Sequence, residues 1–399
     1  MTIKSLTPAV VVGGELNGLG VVRSLAAGGV AVVVVETRAE KAAVWSRHAT
    51  TCLVPSFEGR DFVDRLIQLA TGFAARPVLL LTDEFAVHST SQYRDLLAPY
   101  YRLRLPDHDM VGLLSDKARF QAFAEANAFP VPRTATLDTV ADLERLAQLR
   151  YPAVIKPNDK RAVLTGLAER ALRVASLREA IAACSRILCQ PGGIVVQEWI
   201  EGPESNIYFT LFYRGRAGVP VSLFTGRKLL CFPRDVGSTA LCMAAPQARQ
   251  DLEAMTMAFA DRAGFNGLGS MEYKWDDARG EFLMIEPTVG RTDWQEEIAT
   301  LCGVNIPLAA YRHEMGLPQA VTTTPDPCVA WQASYAQGLP RAHLPPGTRV
   351  HNGYWRISDP LPAWSYYVLG GAPKRLFQRW LTPEVAGRRV AKHEWGDVT

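Results

Sequence analysis

The stretch GLGSMEYKWDDARGEFLMIEPT, from Gly267 to Thr288, decides how this chain is read. Gly267 to Lys274 and Glu281 to Pro287 each have strand character, and the Asp-Asp-Ala-Arg-Gly segment between them supplies turn residues. The spacing predicts a hairpin with one carboxylate on each arm, Glu272 near the centre of the first strand and Glu286 near the end of the second. Facing strands bring both carboxylates to one point. Like charges held that close are unfavourable unless a divalent cation sits between them.

Outward from this hairpin, Asn206 to Arg214 and Val219 to Leu230 alternate as an antiparallel meander, and Asp251 to Ala263 has the apolar spacing of an amphipathic helix. Gly193 to Glu204 reads as a buried strand entering an acidic turn. Tyr151 to Pro157 reads as a strand carrying Lys156, and a lone lysine in an apolar strand is costly unless it meets an anion. Helices are predicted over Lys117 to Asn127, capped by Ser115-Asp116, over Val140 to Leu149 and near Leu177 to Cys189.

The first hundred residues follow a different grammar. Ala9 to Val12, the glycine turn Gly13 to Gly20, an amphipathic stretch through Ala27 and Val30 to Val35 closing on Glu36 give the strand, turn, helix and strand of a doubly wound sheet. Pro77 to Thr82 adds a buried strand, and Arg102 to Pro106 a short one. The turn and Glu36 fit a dinucleotide fingerprint, in which the acid binds a ribose hydroxyl; tight strand-to-helix packing with no ligand accounts for them equally.

In this order, over roughly residues 1–317, the features resemble the ATP-grasp superfamily, and within it the carboxylate-amine ligase branch that includes D-aspartate ligase-like proteins. The resemblance implies an α/β and α+β fold: a Rossmann-like pre-ATP-grasp domain over 1–113, an ATP-grasp domain over 114–317 with a lid subdomain about 131–197, and an aromatic-rich C-terminal extension over 318–399. It implies ATP and Mg²⁺ as cofactors. Position by position, Lys117 and Lys156 resemble the two phosphate-binding lysines, and Glu198-Trp199-Ile200 resembles the adenine hinge. Glu204 is similar to the carboxylate that receives the ribose hydroxyls, Glu272 and Glu286 to the acidic magnesium ligands, and Arg291 to the arginine that steadies the transferred phosphate.

Two departures stand out. The family arrangement E-x-N-x-R here reads Glu286-Pro287-Thr288-Val289-Gly290-Arg291, so Thr288 takes the asparagine position and the arginine comes one residue late. Thr288, a water or Asp293 could then complete the metal shell. The lid loop Asn158 to Gly166 lacks a glycine cluster, which shifts phosphate capture there to Lys160 or Arg161. Arg227-Lys228 and Arg234, around Cys231-Phe232-Pro233, either line the acid-binding end of the cleft or form a solvated cationic face.

Composition excludes several classes. The chain has 399 residues, 48% of them hydrophobic and 21% charged, as folded proteins of two or three domains have. A net charge of +3 is too small to imply nucleic acid or an anionic membrane, and no apolar run is long enough to span one. The seven scattered cysteines suit reduced thiols in the cytoplasm. Between Trp331 and Tyr367 the aromatic content is high, including Tyr335, Tyr354, Trp355, Trp364 and Tyr366. That surface needs cover from the body of the protein, a substrate or a second subunit, so a homodimer is open.

The resemblance implies an ATP-dependent ligase that joins a small-molecule acid to an amine, on amino-acid-like substrates, through an acyl phosphate with release of ADP. An NAD-dependent oxidoreductase would use the glycine turn and Glu36 but leave Glu272, Glu286 and Lys156 without a purpose. A catalytically silent nucleotide-binding protein would account for the irregular lid and metal motifs.

Overall fold

Valine and leucine runs with no polar face are what a parallel sheet covered on both sides requires. β1 (Ala9–Val12), β2 (Val32–Glu36), β3 (Ala49–Leu53) and β4 (Val78–Leu81) form such a sheet in the order β3-β2-β1-β4. β1 and β4 are buried throughout, whereas β3 is an edge strand with exposed threonines and no apolar alternation, which is why its sequence does not announce it. Arg102 to Pro106 forms no strand; its one ladder contact is a bridge from Arg102 to Val78. The structure, a computed structural model, describes residues 7–158, 171–188, 193–235, 237–319, 324–334 and 344–369. Lys160, Arg161, Cys189 and Tyr335 lie outside the described residues.

The glycine turn is a packing device. Gly13 has φ +100°, and a Cβ on Gly18 would stand 2.1 Å from the Gly13 carbonyl oxygen, so the helix Leu16–Ala27 can meet the strand end only as glycine. A Cβ on Gly14 would stand 2.9 Å from a Glu36 carboxylate oxygen.

A second sheet, antiparallel, comprises β5 (Thr134–Leu137), β6 (Ala153–Pro157), β7 (Leu172–Val174) and β8 (Ile194–Glu198) in the order β5-β8-β6-β7. Val140–Gln148 packs there as a 3₁₀ helix, and Leu177–Ile187 as an α-helix whose Ser176 side chain accepts the Glu179 N–H.

The third sheet is the largest. β9 (Ile207–Arg214), β10 (Pro220–Phe232), β11 (Ser238–Ala244), β12 (Gly267–Asp276), β13 (Glu281–Val289), β14 (Val329–Gln332) and β15 (Arg349–Asn352) run in the order β13-β12-β9-β10-β11-β14-β15. The predicted hairpin is β12 and β13, and Glu272 sits directly opposite Glu286. The register then skips to Tyr273 opposite Met284, so a bulge falls on Ile285 beside the acidic pair.

β14 and β15 show what covers the C-terminal aromatics. Trp331 is fully buried in the core shared by the Leu16–Ala27 helix and the large sheet, and its indole N–H donates to Glu297 Oε2 at 3.0 Å. Tyr354 is buried and stacks on Tyr366 with ring centroids 3.7 Å apart, while Trp355 and Trp364 remain partly exposed. Replacing a buried tryptophan by alanine removes this packing and one of the donors to Glu297, which keeps Arg356 at 3.0 Å. Trp331→Ala is therefore expected to cost about 3–5 kcal/mol in denaturant unfolding. A loss below about 1 kcal/mol would place Trp331 outside the stabilising core.

Candidate active site

A cleft of about 1540 Å³ opens between the three sheets. The first sheet contributes the turn at Gly13 and, past the end of β4, Thr82, Asp83 and Glu84; open α/β sheets place ligands beyond such strand ends. The second sheet contributes Lys156 and Gln197 to Ile200. The large sheet contributes Lys228, Glu272, Lys274, Glu286 and Thr288, and the segment after β13 adds Arg291 and Asp293.

The acidic pair is balanced from across the sheet. Lys228, on β10, reaches past β9 to form an ion pair with Glu272 on β12. Burial by itself would lower the Lys228 pKa; the Glu272 charge and hydrogen bond, together with Cys231 and Asp293, outweigh it and hold the ammonium charged. Thr288 follows Glu286 by one strand period and lines the same cleft. Asp293 accepts the Ser270 hydroxyl at 3.0 Å and the Gln295 amide at 2.9 Å through Oδ2. No cluster of three His, Cys, Asp or Glu side chains forms a metal site among the described residues. The oxygen donors that the cleft offers a hard cation are Glu272 and Glu286, with the Thr288 hydroxyl, Asp293 or water for the rest of a shell.

Both candidate phosphate lysines face the cleft. Lys117 opens the helix Lys117–Ala126, where Asp116 caps the Arg119 N–H at 2.8 Å. Asn158, at the end of β6, accepts the Ala118 N–H at 2.9 Å and donates to Asp116 at 3.0 Å, so one side chain ties the two lysine-bearing elements together. The Lys156 ammonium donates to Gln197 Oε1 at 3.1 Å. Glu198, Trp199 and Ile200 all line the cleft, but the Glu198 carboxylate is committed to Arg279 at 2.8 Å. What this stretch offers a base is backbone.

Two expected residues are not brought into the cleft lining. Glu204 accepts the backbone N–H groups of Cys231 at 3.0 Å and Asp235 at 2.8 Å, which makes it a staple for the end of β10. Arg234 is exposed in the turn between β10 and β11. Neither the ribose role for Glu204 nor the catalytic role for Arg234 is supported by its position. Glu36 is likewise engaged, accepting from the backbone N–H groups of Gly14, Thr37 and Arg38 and from the Thr37 hydroxyl. Three of those donors meet Oε1 and one meets Oε2, so the turn engages both oxygens. The features that suggested a dinucleotide fingerprint are thus accounted for by the fold.

Sequence reasoning missed Lys274 and Glu84. Lys274 lies one strand period after Glu272, so alternation alone puts it on the cleft face; it donates to the Gly202 and Pro203 carbonyls at 3.1 and 2.9 Å. Glu84 follows the end of β4 and pairs with Arg291, whose Nη2 approaches Glu84 Oε2 to 2.9 Å. The Arg291 Nη1 donates to the Thr292 carbonyl at 3.1 Å. Burial would lower the Arg291 pKa, but Glu84 and Asp293 keep the guanidinium firmly charged.

A doubly wound domain thus leads into two sheets that meet at a lysine- and carboxylate-lined cleft. No family model matches the chain. It is 26% identical over 189 residues to a D-alanine–D-alanine ligase of Pseudomonas putida, covering 45% of this chain. The chain spans 57% of that relative's length. It resembles the ADP complex of an N5-carboxyaminoimidazole ribonucleotide synthetase with a TM-score of 0.64 at 16% identity, covering 82% of each chain. It also resembles the biotin carboxylase domain of Hydrogenobacter thermophilus 2-oxoglutarate carboxylase, solved with MgADP, with a TM-score of 0.59 at 16% identity over 79% of this chain and 71% of that one. The chain shares the fold of these solved structures over about four fifths of its length.

Proposed function

We propose that the protein is an ATP-dependent, ADP-forming ligase that joins a small-molecule carboxylate to an amine through an acyl phosphate. The observation that carries this reading is the directly opposed pair Glu272 and Glu286, facing a cleft that also holds Lys117 and Lys156. Mg²⁺, bound by Glu272, Glu286 and Thr288, would supply charge neutralisation for the nucleotide phosphates. The lysines hold phosphate oxygens from the opposite side, as mobile point charges suit. The Glu198 to Ile200 backbone meets the base. Arg291, fixed by Glu84, presents its remaining N–H donors to charge that develops on the transferred group. Closure of the cleft around acid and amine keeps water from the acyl phosphate.

The relatives support the same chemistry: one is a D-alanine–D-alanine ligase, and the neighbours include proteins solved with ADP and MgADP. The domain division carried by this reading is 1–113, 114–317 with a lid about 131–197, and 318–399. β14 and β15 of the last segment nonetheless complete the large sheet. A cytoplasmic location accords with the free state of all six described cysteines, and among the described residues no helix is long and apolar enough to cross a membrane.

The test is ADP release across pairs of acids and amines. Turnover that needs both an acid and an amine supports the ligase; ATP binding with no release in any pair supports the silent nucleotide-binding protein. Lys156→Met gives a second check, because it keeps the aliphatic stem and removes a charge held in the cleft. ATP affinity should fall at least about tenfold, or 1.4 kcal/mol, while the apo melting temperature holds or rises. A lowered melting temperature with intact affinity would make Lys156 a structural residue.

A further inference from the structure

The cleft lies beyond the carboxyl end of β4. At the other end of that strand, where Val78 bridges Arg102, a separate cavity of about 310 Å³ gathers Arg76, Arg94, Arg102, Arg104 and Arg216. The carboxylates in its lining are Asp95 and Glu314. Glu314 is already committed, taking Arg104 Nε and Nη2 at 2.9 and 3.0 Å and the Tyr213 hydroxyl at 2.6 Å. Arg94 meets Asp107 at 3.5 Å, at a solvent-exposed carboxylate.

The remaining arginines lack acidic partners among the described residues. Arg76 donates to the Ala98 carbonyl at 3.0 Å and Arg102 to the Glu314 carbonyl at 3.0 Å. The buried Nε of Arg102 has no hydrogen-bond partner among the described residues. Arg216 is exposed on the turn between β9 and β10 and forms no ion pair among the described residues. Guanidinium groups crowded into one concavity repel each other, and unfilled planar donors are suited to an oxyanion that accepts several of them at once. The chain's net charge of +3 sets this concentration apart from a generally basic surface.

We propose that this cavity is a second anion site, distinct from the cleft, which takes a compact phosphate-bearing small molecule between Arg76, Arg102 and Arg216. Its size and concavity suit a small ligand rather than a nucleic acid or a membrane. Its occupant would join the first sheet, which carries Arg76 and Arg102 at its edge, to the large sheet, which carries Arg216. The segment that lines it continues inward: Leu105 Cδ2 stands 2.6 Å from where a Cβ on Gly290 would be, next to Arg291. An anion that fastens Arg102 thus fastens the chain packed behind the catalytic arginine.

The probe is inorganic pyrophosphate, titrated calorimetrically into the full chain saturated with ADP so that the cleft is filled. Saturable binding of one equivalent is expected. Arg76→Gln/Arg216→Gln, at two exposed positions, should weaken it at least tenfold with no change in melting temperature, whereas Lys156→Met should leave it intact. Absence of saturable binding in the wild type, or equal affinity in the double variant, would overturn the proposal. So would a loss confined to Lys156→Met, which would assign the heat to the cleft. Because the readout is binding and not turnover, it stands apart from the fate of the ligase reading.

Discussion

Glu286→Gln is expected to lower turnover by more than about a hundredfold while the protein remains folded, and Glu272→Gln to lower both turnover and stability. Each change removes one charge from a donor set that needs both. The loss should exceed the tenfold-to-hundredfold effects that follow changes in groups merely supporting metal ligands. The two variants part company because of Lys228. Its ammonium is buried and held charged by Glu272, so Glu272→Gln strands a cation in the sheet. Breaking a buried pair from one side costs about 3–5 kcal/mol. ADP release at limiting and saturating Mg²⁺, together with denaturant unfolding of both variants, checks the pair. Wild-type ADP release by both at limiting Mg²⁺ would remove the metal assignment. Equal stability losses would mean that Lys228 compensates Glu286 as much as Glu272.

The acidic pair was legible because everything that creates it is local. A two-residue period, a short turn and adjacent strands suffice to set Glu272 against Glu286. Lys117 and Lys156 could be read for a similar reason: each is a charge that its own helix start or strand makes conspicuous. Their meeting through Asn158 could not. Partners separated by long loops carry no spacing signal, and this hides Lys228 with Glu272 and Arg291 with Glu84. The two misplaced residues have one cause. Glu204 and Arg234 lie by the end of β10, where an acidic turn and a basic turn resemble cleft residues in sequence, but backbone amides claim the first and solvent the second. The parallel first sheet was readable from its valines except for β3, whose exposed edge carries no apolar pattern. The C-terminal aromatics signalled burial without direction, because only pairing of β14 with β11 reveals that Trp331 belongs to the main core.

Arg291→Lys is expected to reduce the rate by about a hundredfold to a thousandfold at saturating ATP, acid and amine, with nucleotide affinity nearly unchanged. An arginine that comes one residue late after Glu286 could face solvent. Instead Arg291 lines the cleft, half-buried, with Nε and Nη2 directed at Glu84 and Nη1 at the Thr292 carbonyl. Those contacts use three of the five N–H donors of a guanidinium and hold its plane, so the others are presented to the cleft in a fixed direction. Lysine can keep the ion pair with Glu84. It cannot at the same time keep that pair and offer a planar fork to a phosphoryl group or tetrahedral intermediate, so the cost should fall on the transition state. A tether between the segment after β13 and the helix Glu84–Gln92 would behave differently. Arg291→Lys would then be nearly silent in turnover, and Glu84→Gln would lower the melting temperature by as much as Arg291→Gln. The pair of measurements, kcat against KM for Arg291→Lys and melting temperatures for the two glutamine variants, separates a group that touches reacting atoms from one that only joins two elements.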